Sequence, residues 1–264
     1  MNVAEIISCI ERIAPPAGAA SWDNCGVQIV GLEEDVTRLA VTIDPSPEMV
    51  IAALEWGADM IITHHPLYME PKALNEPGYF LDSTRAVMAT GAWLYAAHTS
   101  LDVRPEGPAG WLHRAMKLSK LSVLAPNDPS EPEVGYGFWG QLPEPLPWKD
   151  FALRLGQHVN RDFWTLTGTT PETVSTVAYC TGSGGSLMNA AYAKGTDVYI
   201  TGDLKYHQAL ESPQFTVDVG HFSLEDRMSA ELADLLADEL GNEGIKVRFL
   251  PGREPFKAHL PIRI

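Results

Sequence analysis

The sequence GADMIITHHP, residues 57–66, joins the end of one helix to a buried strand and places two histidines directly after that strand. Residues 60–63 are apolar or β-branched, as in the fully buried strands of a parallel sheet. The preceding helical pattern, residues 47–56, begins with Pro47, which suits a first helical turn, and Gly57 ends it. A helix followed by such a strand is typical of an α/β architecture.

A second stretch of the chain repeats this pattern. Residues 195–203 read GTDVYITGD, with a glycine, an aspartate and an apolar strand in the same order. Further along, HTSLD at residues 98–102 and HFSLE at residues 221–225 each follow a predicted strand. Because both matches occur in the same order, we predict an internal duplication that produced two similar three-layer α/β domains.

The remaining pattern defines the other predicted elements and the domain boundary. Further strands are predicted at residues 39–44, 92–97, 176–180, 198–201, 216–219 and 245–249, and further helices at 1–14, 187–194 and 224–240. Residues 104–147 are rich in proline, glycine and acidic side chains and are predicted to connect the halves. We therefore predict an N-terminal domain of residues 1–125 and a C-terminal domain of residues 126–264.

The composition makes two classes of partner unfavourable. With a net charge of -15, the surface repels phosphate backbones and anionic lipids, so nucleic acids and membranes are not expected partners. Cys9, Cys25 and Cys180 are far apart, as is typical of reduced thiols in a cytoplasm. The N-terminal helix lacks the features of a signal peptide, and no apolar run approaches the length of a membrane span. We expect a cytoplasmic protein.

Side chains that bind metals are concentrated where predicted strands end. They are His64, His65, His98, Asp102, His221 and Glu225. In open α/β sheets, functional sites lie at the carboxyl ends of strands. Pro66 turns the chain after the paired histidines, so that the two rings can diverge toward different metals. One glutamate can bridge two cations about 3.5–4 Å apart. This pattern predicts a two-metal site.

The residue types restrict the metals without selecting one. Imidazole and carboxylate without thiolate suit two divalent ions per chain from among zinc, iron, manganese, cobalt and nickel. A lone histidine is more often a surface or core residue, and each His-x-x-x-acid segment also fits an ordinary helix start.

Two loops have alternative interpretations. The TGSGGS loop at residues 181–186 either holds an anion or, as we favour, forms a tight turn that needs positive φ. Residues 21–26, SWDNCG, are either a capped turn or part of the lining of the site.

Several segments together resemble one protein family. They are WDNCGVQIVG (22–31), THHPL (63–67), HTSLD (98–102), TGD (201–203) and GHFSLE (220–225). The family comprises dinuclear-metal hexameric proteins, known as GTP cyclohydrolase I type 2 or NGG-interacting-factor-three-like proteins. The resemblance runs from residue 1 to near the C terminus. It implies two similar α/β domains with a metal site in the cleft between them, and a toroidal homohexamer.

The resemblance also implies ligands and an activity. Carried over residue by residue, the metal ligands are His64, His65, Asp102, His221 and Glu225. The implied activity is hydrolytic ring opening of GTP. We predict a dinuclear metal-dependent hydrolase acting on GTP or a related nucleotide or phosphoester, with His98 and His207 as catalytic proton carriers. Alternatively, His98 orients Asp102. Lys72 and Lys205 are weaker candidates for phosphate contacts.

Two other functions use the same sequence features. A metal-binding adaptor, chaperone or regulatory ring would keep the ligands but saturate the metal coordination with protein atoms, whereas an enzyme keeps an open position. A DNA-associated ring is a weaker alternative, because it needs a basic pore in a chain whose net charge is -15.

Overall fold

The structure is a computed structural model that describes residues 1–259 of the chain. The chain forms two compact units. Unit 1 contains Met1–Pro108 and Asp226–Gly252, and the described part of unit 2 contains Ala109–Glu225 and residues 253–259. The N-terminal unit is therefore completed by a later part of the chain, a feature that the sequence patterns did not reveal.

The described residues contain eight α-helices and eleven strands. In chain order they are α1 (Val3–Ile13), β1 (Gly26–Ile29), β2 (Arg38–Thr42), α2 (Pro47–Glu55), β3 (Met60–Thr63), α3 (Tyr79–Thr90), β4 (Trp93–Ala96), α4 (Trp111–Met116), β5 (Ser119–Pro126), β6 (Gly135–Pro147), α5 (Trp148–Gly156), β7 (Thr165–Thr167), β8 (Thr173–Ser183), α6 (Met188–Ala193), β9 (Val198–Gly202), α7 (Tyr206–Leu210), β10 (Thr216–Asp218), α8 (His221–Leu240) and β11 (Lys246–Phe249). Within residues 1–259, no helix combines the length and the apolar character needed to cross a lipid bilayer.

Each unit contains one sheet. The sheet of unit 1 has the order β1-β4-β3-β2-β11, in which β1 alone is antiparallel to its neighbour. The sheet of unit 2 has the order β5-β6-β8-β9-β10-β7, in which β8, β9 and β10 are parallel. The predicted α/β class is confirmed, and each predicted strand has a counterpart in these sheets.

The predicted connection between the halves is largely β-structure. The predicted boundary at residues 125 and 126 falls inside β5, whereas the units divide after Pro108. β5 pairs with β6, and Val123, Leu124 and Phe138 are buried. Pairing of the two strands satisfies their backbone groups, so a segment rich in proline and glycine folds as part of unit 2.

Local sequence explains how α2 begins and ends. The Ser46 side chain accepts a hydrogen bond from the amide of Met49, and Pro47 occupies the first turn. Beyond the helix, Gly57 adopts a φ of 86°, which glycine tolerates without steric cost. Helices α2 and α3 cover the sheet of unit 1 and share one apolar core cluster with β3 and β4, which includes Ile61.

The two units repeat an order of seven elements. Unit 1 runs α1-β1-β2-α2-β3-α3-β4, and unit 2 runs α5-β7-β8-α6-β9-α7-β10. The corresponding strands also have the same spatial order, β1-β4-β3-β2 and β7-β10-β9-β8, each with an antiparallel first strand. This agreement supports the predicted duplication.

One aspartate has the same role in each unit. Asp59 Oδ2 accepts hydrogen bonds at 2.8–2.9 Å from two successive backbone amides and from the hydroxyl of Thr37. Asp197 Oδ2 accepts bonds over the same range of distances from two successive amides and the hydroxyl of Thr176. Each carboxylate fastens one parallel strand to the turn that precedes the next strand.

We expect Asp59→Ala to lower the free energy of unfolding by about 1–2 kcal/mol, because three donors lose a partly exposed acceptor. Burial opposes ionisation of Asp59, but the hydrogen bonds from Thr37 and Arg38 hold the pKa of this carboxyl below its ordinary value. A carboxylate whose pKa is lowered by folding stabilises the protein above its unfolded pKa. That contribution disappears as pH falls through the folded pKa.

Urea unfolding of wild type and Asp59→Ala checks this expectation. The stability difference should be complete at pH 7 and should shrink below about pH 4. Asp162→Ala, at an exposed position, is the control and should change stability little at either pH. A difference for Asp59→Ala that is the same at pH 7 and pH 3 would refute the electrostatic explanation.

Candidate metal centre

Strand β3 delivers two histidines to the carboxyl end of the sheet in unit 1. The amides of His64 and His65 donate to the carbonyl oxygens of Thr42 and Ile43, so the strand pairing continues beyond Thr63. His64 is 1% exposed, and His65 is partly exposed. Their ring centroids lie 4.9 Å apart with the planes tilted by 50°. The adjacent rings are therefore close without being parallel.

His98 joins these histidines in a cluster of three. Its ring centroid lies 5.2 Å from that of His64 and 5.6 Å from that of His65. One ligating nitrogen from each ring lies within 4.8 Å of the others. Nitrogen ligands bind zinc at about 2.0–2.1 Å, so small movements would bring all three onto one ion. The geometry makes His98 a candidate ligand, in addition to the proton-carrier and orienting roles predicted for it from the sequence.

Asp102 lies close to His64. Its Oδ2 is 3.9 Å from His64 Nε2, which is too long for a hydrogen bond but suits two ligands of one cation. The residue is 9% exposed and lies in the turn after β4, where its amide donates to the carbonyl of Thr99. Unit 1 therefore brings together His64, His65 and Asp102 of the predicted ligands.

Nδ1 of each histidine in this cluster forms a hydrogen bond with an oxygen atom. The pairs are His64 with the carbonyl of Ala97 at 3.0 Å, His65 with Asp44 Oδ1 at 2.7 Å, and His98 with Asp23 Oδ1 at 2.6 Å. A proton on Nδ1 satisfies each oxygen and leaves the lone pair of Nε2 for a metal. Metal-binding histidines are commonly oriented by such second contacts.

Asp23 anchors residues 21–26 beside His98. It also accepts hydrogen bonds from the amide and hydroxyl of Thr99 and from the thiol of Cys25. Burial opposes ionisation, but the hydrogen bonds from His98, Thr99 and Cys25 hold the pKa of Asp23 far below its ordinary value. Both interpretations of this segment therefore apply, because the turn is capped by Asp23 and also lies against the histidine cluster.

In unit 2, α8 begins at His221 and places His221 and Glu225 one turn apart. His221 Nε2 lies 2.7 Å from Glu225 Oε2, and His221 Nδ1 lies 2.8 Å from Asp203 Oδ2. The helix begins at His221, three residues before the predicted start at Leu224. The earlier start provides the shared helical face that the four-residue spacing requires.

The glycine-rich loop packs against Glu225. Gly182 has a φ of 59°, and a Cβ at this position would contact Glu225 Oε1. The amide of Gly184 donates to the hydroxyl of Thr201 at 2.8 Å, and the Tyr199 hydroxyl donates to the carbonyl of Gly184 at 2.7 Å. The structure thus extends β8 through Ser183, so only residues 184–186 of the predicted loop lie beyond the strand. The predicted positive φ occurs at Gly182, near the end of β8, where the backbone also limits the space around the Glu225 carboxylate.

Asp218 fixes the segments around the His221–Asp203 pair. Its two carboxylate oxygens accept hydrogen bonds from the amides of Gly220 and Leu204, each at 2.8 Å. Sequence reasoning did not single out Asp44 or Asp218, and it included Asp23 and Asp203 only as members of the segments 21–26 and 201–203. The histidine partners of Asp23 and Asp203 lie 75 and 18 residues away, so no local pattern indicated these contacts.

The other predicted residues lie outside these groups. His207 is on α7, and its ring centroid lies 5.2 Å from that of Tyr206. Among residues 1–259, the close groups of possible metal ligands do not include His207, and its catalytic role stays a prediction. The Lys72 amino group lies 5.8 Å from the Phe80 ring centroid, and Lys205 is exposed just before α7.

The whole chain has close relatives among known proteins. The family model for Duf34/NIF3 (NGG1p interacting factor 3) matches residues 1–255. A GTP cyclohydrolase 1 type 2 homolog from Streptomyces coelicolor is 31% identical over 233 residues, which cover 85% of this chain and 81% of that protein. A Bacillus cereus protein related to NIF3 matches with a TM-score of 0.90 at 23% identity, covering 98% of this chain and 99% of that chain. Staphylococcus aureus protein SA1388 matches with a TM-score of 0.86 at 26% identity and the same coverage.

Proposed function

Because the chain belongs to the Duf34/NIF3 family, we propose that it is a dinuclear metal-dependent hydrolase. The proposed ligands of its two divalent ions are His64, His65, Asp102, His221 and Glu225. One observation carries this proposal. In every histidine of this set, Nδ1 forms a hydrogen bond with a carboxylate or carbonyl oxygen, and this contact leaves Nε2 as the nitrogen that can bind a metal.

The donor atoms fit the proposed metals. Imidazole and carboxylate groups suit zinc, iron, manganese, cobalt or nickel, and they do not supply the thiolates of a structural zinc site. Cys25, the cysteine closest in sequence to Asp23, donates its thiol to that carboxylate. Within each unit, the side chains present are therefore consistent with ions that prefer nitrogen and oxygen ligands.

The chain's own residues have distinct proposed roles. When bound, the metal ions would lower the pKa of water toward about 7 and so favour hydrolysis at neutral pH. Asp44 and Asp203 accept hydrogen bonds from Nδ1 of His65 and His221 and thereby fix the orientation of the two rings. Asp23 fixes Nδ1 of His98, so that Nε2 is the atom that accepts or returns a proton if His98 does not itself ligate.

The proposed substrate is GTP or a related nucleotide or phosphoester. The name of the Streptomyces coelicolor relative, GTP cyclohydrolase 1 type 2 homolog, supports this choice. Lys72 and Lys205 are proposed contacts for its phosphates. The proposed assembly is a homohexamer in the cytoplasm, and this part of the proposal rests on the family resemblance alone.

Metal removal tests the proposal directly. We expect protein purified without chelator to carry two metal ions per chain and to hydrolyse at least one compound of a nucleotide and phosphoester panel. Dialysis against a chelator should abolish turnover, and one of the five candidate metals should restore it. Metal content is measured by plasma mass spectrometry.

Each alternative result has a definite meaning. Two bound ions without turnover on any compound would favour the adaptor, chaperone or regulatory function. A chain that carries no metal after anaerobic purification would contradict both that function and the hydrolase.

A further inference from the structure

Trp22 is a large aromatic side chain left in solvent beside the histidine cluster. The seven tryptophans of the chain all lie within residues 1–259, and Trp22 is the exposed one among them, at 65%. Its ring centroid lies 6.1 Å from that of His98, and the planes are inclined by 73°. Such an edge contact leaves most of the indole surface exposed to water, although burial of an aromatic ring is favourable in free energy.

The turn that carries Trp22 is anchored on both sides. The amide of Asp23 donates to the carbonyl of Ala20 at 3.0 Å and closes a turn around Trp22. The amide of Ala20 donates to the hydroxyl of Thr99 at 3.0 Å, and Asp23 accepts from the Thr99 amide at 2.9 Å. The backbone of Trp22 is therefore fastened to the segment that contains His98.

This anchoring matters for binding. A side chain on a loose loop must be ordered when a ligand arrives, and that ordering weakens binding. Here the turn is already held by hydrogen bonds to Thr99 and by the 2.6 Å contact between Asp23 and His98. An aromatic surface presented in a fixed position next to a candidate metal ligand or proton carrier is suited to hold a reacting ring.

We propose that Trp22 is the platform on which a planar heteroaromatic ring of the substrate stacks beside His98. This inference rests on the proposed function and narrows its substrate class to compounds that carry a ring like that of a nucleobase. Indole stacks with any such ring, because stacking depends on the π-face rather than on a hydrogen-bond pattern. The ring thereby enters the reach of the histidine cluster while the rest of the compound stays free to contact other groups.

The test measures binding of three probes to the full-length, metal-loaded protein by calorimetry. Guanosine and adenosine carry the ring, and ribose 5-phosphate lacks it. We expect Trp22→Ala to weaken both nucleosides about 10- to 100-fold and Trp22→Phe to weaken them less, since loss of one stacked base has effects of this order. The affinity for ribose 5-phosphate and the metal content should not change.

Fluorescence provides a second measurement. Guanosine should quench the tryptophan emission of wild type but not that of Trp22→Phe. Trp56→Phe is the matched control, because Trp56 is also in unit 1 and its ring faces the guanidinium of Arg248 at 5.6 Å. Quenching should persist in that variant.

Several results would overturn the inference. Equal quenching of wild type and Trp22→Phe would do so, as would equal weakening of guanosine and ribose 5-phosphate in Trp22→Ala. An altered oligomeric size of Trp22→Ala with unchanged nucleoside affinity would assign the indole to a contact between chains.

Two further results separate this inference from the proposed function. Metal-dependent turnover of a phosphoester without nucleoside binding would contradict stacking on Trp22 and support the hydrolase proposal. Nucleoside binding that depends on Trp22, in a protein without metal-dependent turnover, would support stacking on Trp22 and contradict the hydrolase proposal.

Discussion

Glu225→Gln is expected to remove bound metal and to lower turnover by on the order of 1,000-fold. Glu225 is 4% exposed, and its Oε2 lies 2.7 Å from His221 Nε2. Glutamine keeps the size of the side chain but replaces the negative carboxylate with a neutral amide. Because Glu225 is a proposed ligand, loss of its negative charge would weaken the binding of a divalent ion at the site.

The measurement is metal content per chain together with kcat/KM on the best substrate of the panel. Glu231→Gln is a matched control on the same helix, because Glu231 pairs with Arg227 rather than with a proposed ligand. The control should keep both ions and full turnover. Wild-type metal content and turnover in Glu225→Gln would remove this residue from the site.

Gly182→Ala is expected to lower metal affinity about 10- to 100-fold, although it changes no proposed ligand. A Cβ at residue 182 would contact Glu225 Oε1, and it would lie 3.3 Å from His221 Cε1. The carboxylate must then move, or the loop must withdraw. In addition, the φ of 59° is unfavourable for alanine and costs about 1 kcal/mol of stability.

Gly195→Ala separates these two effects. Gly195 has a φ of 69°, but a Cβ there would meet no atom within 4 Å. Both variants should therefore lose stability in thermal unfolding, whereas only Gly182→Ala should release metal at a lower chelator concentration. If the two variants hold metal equally well, the contact between Gly182 and Glu225 does not position a ligand.

Several elements could be predicted from the sequence because their determinants are local. The apolar run at residues 60–63 coincides with β3, and the signals of Pro47 and Gly57 correspond to the ends of α2. The repeated segment at residues 195–203 likewise marked β9 and supported the duplication. The periodicity of apolar residues did not predict β6, because its prolines and glycines are typical of a loop. Its pairing with β5 and β8 is visible only in the folded chain.

Local sequence was sufficient to predict the α/β class, the parallel strands and the histidine and carboxylate residues that follow them. These features depend on short apolar runs and on residues adjacent to them. The division of the chain into units and the hydrogen-bond partner of each histidine became visible only in the folded chain. His98 contacts Asp23 across 75 positions, and His65 contacts Asp44 across 21. Such pairs depend on which strands become neighbours in a sheet, and that pairing is decided by packing of the whole unit rather than by local sequence.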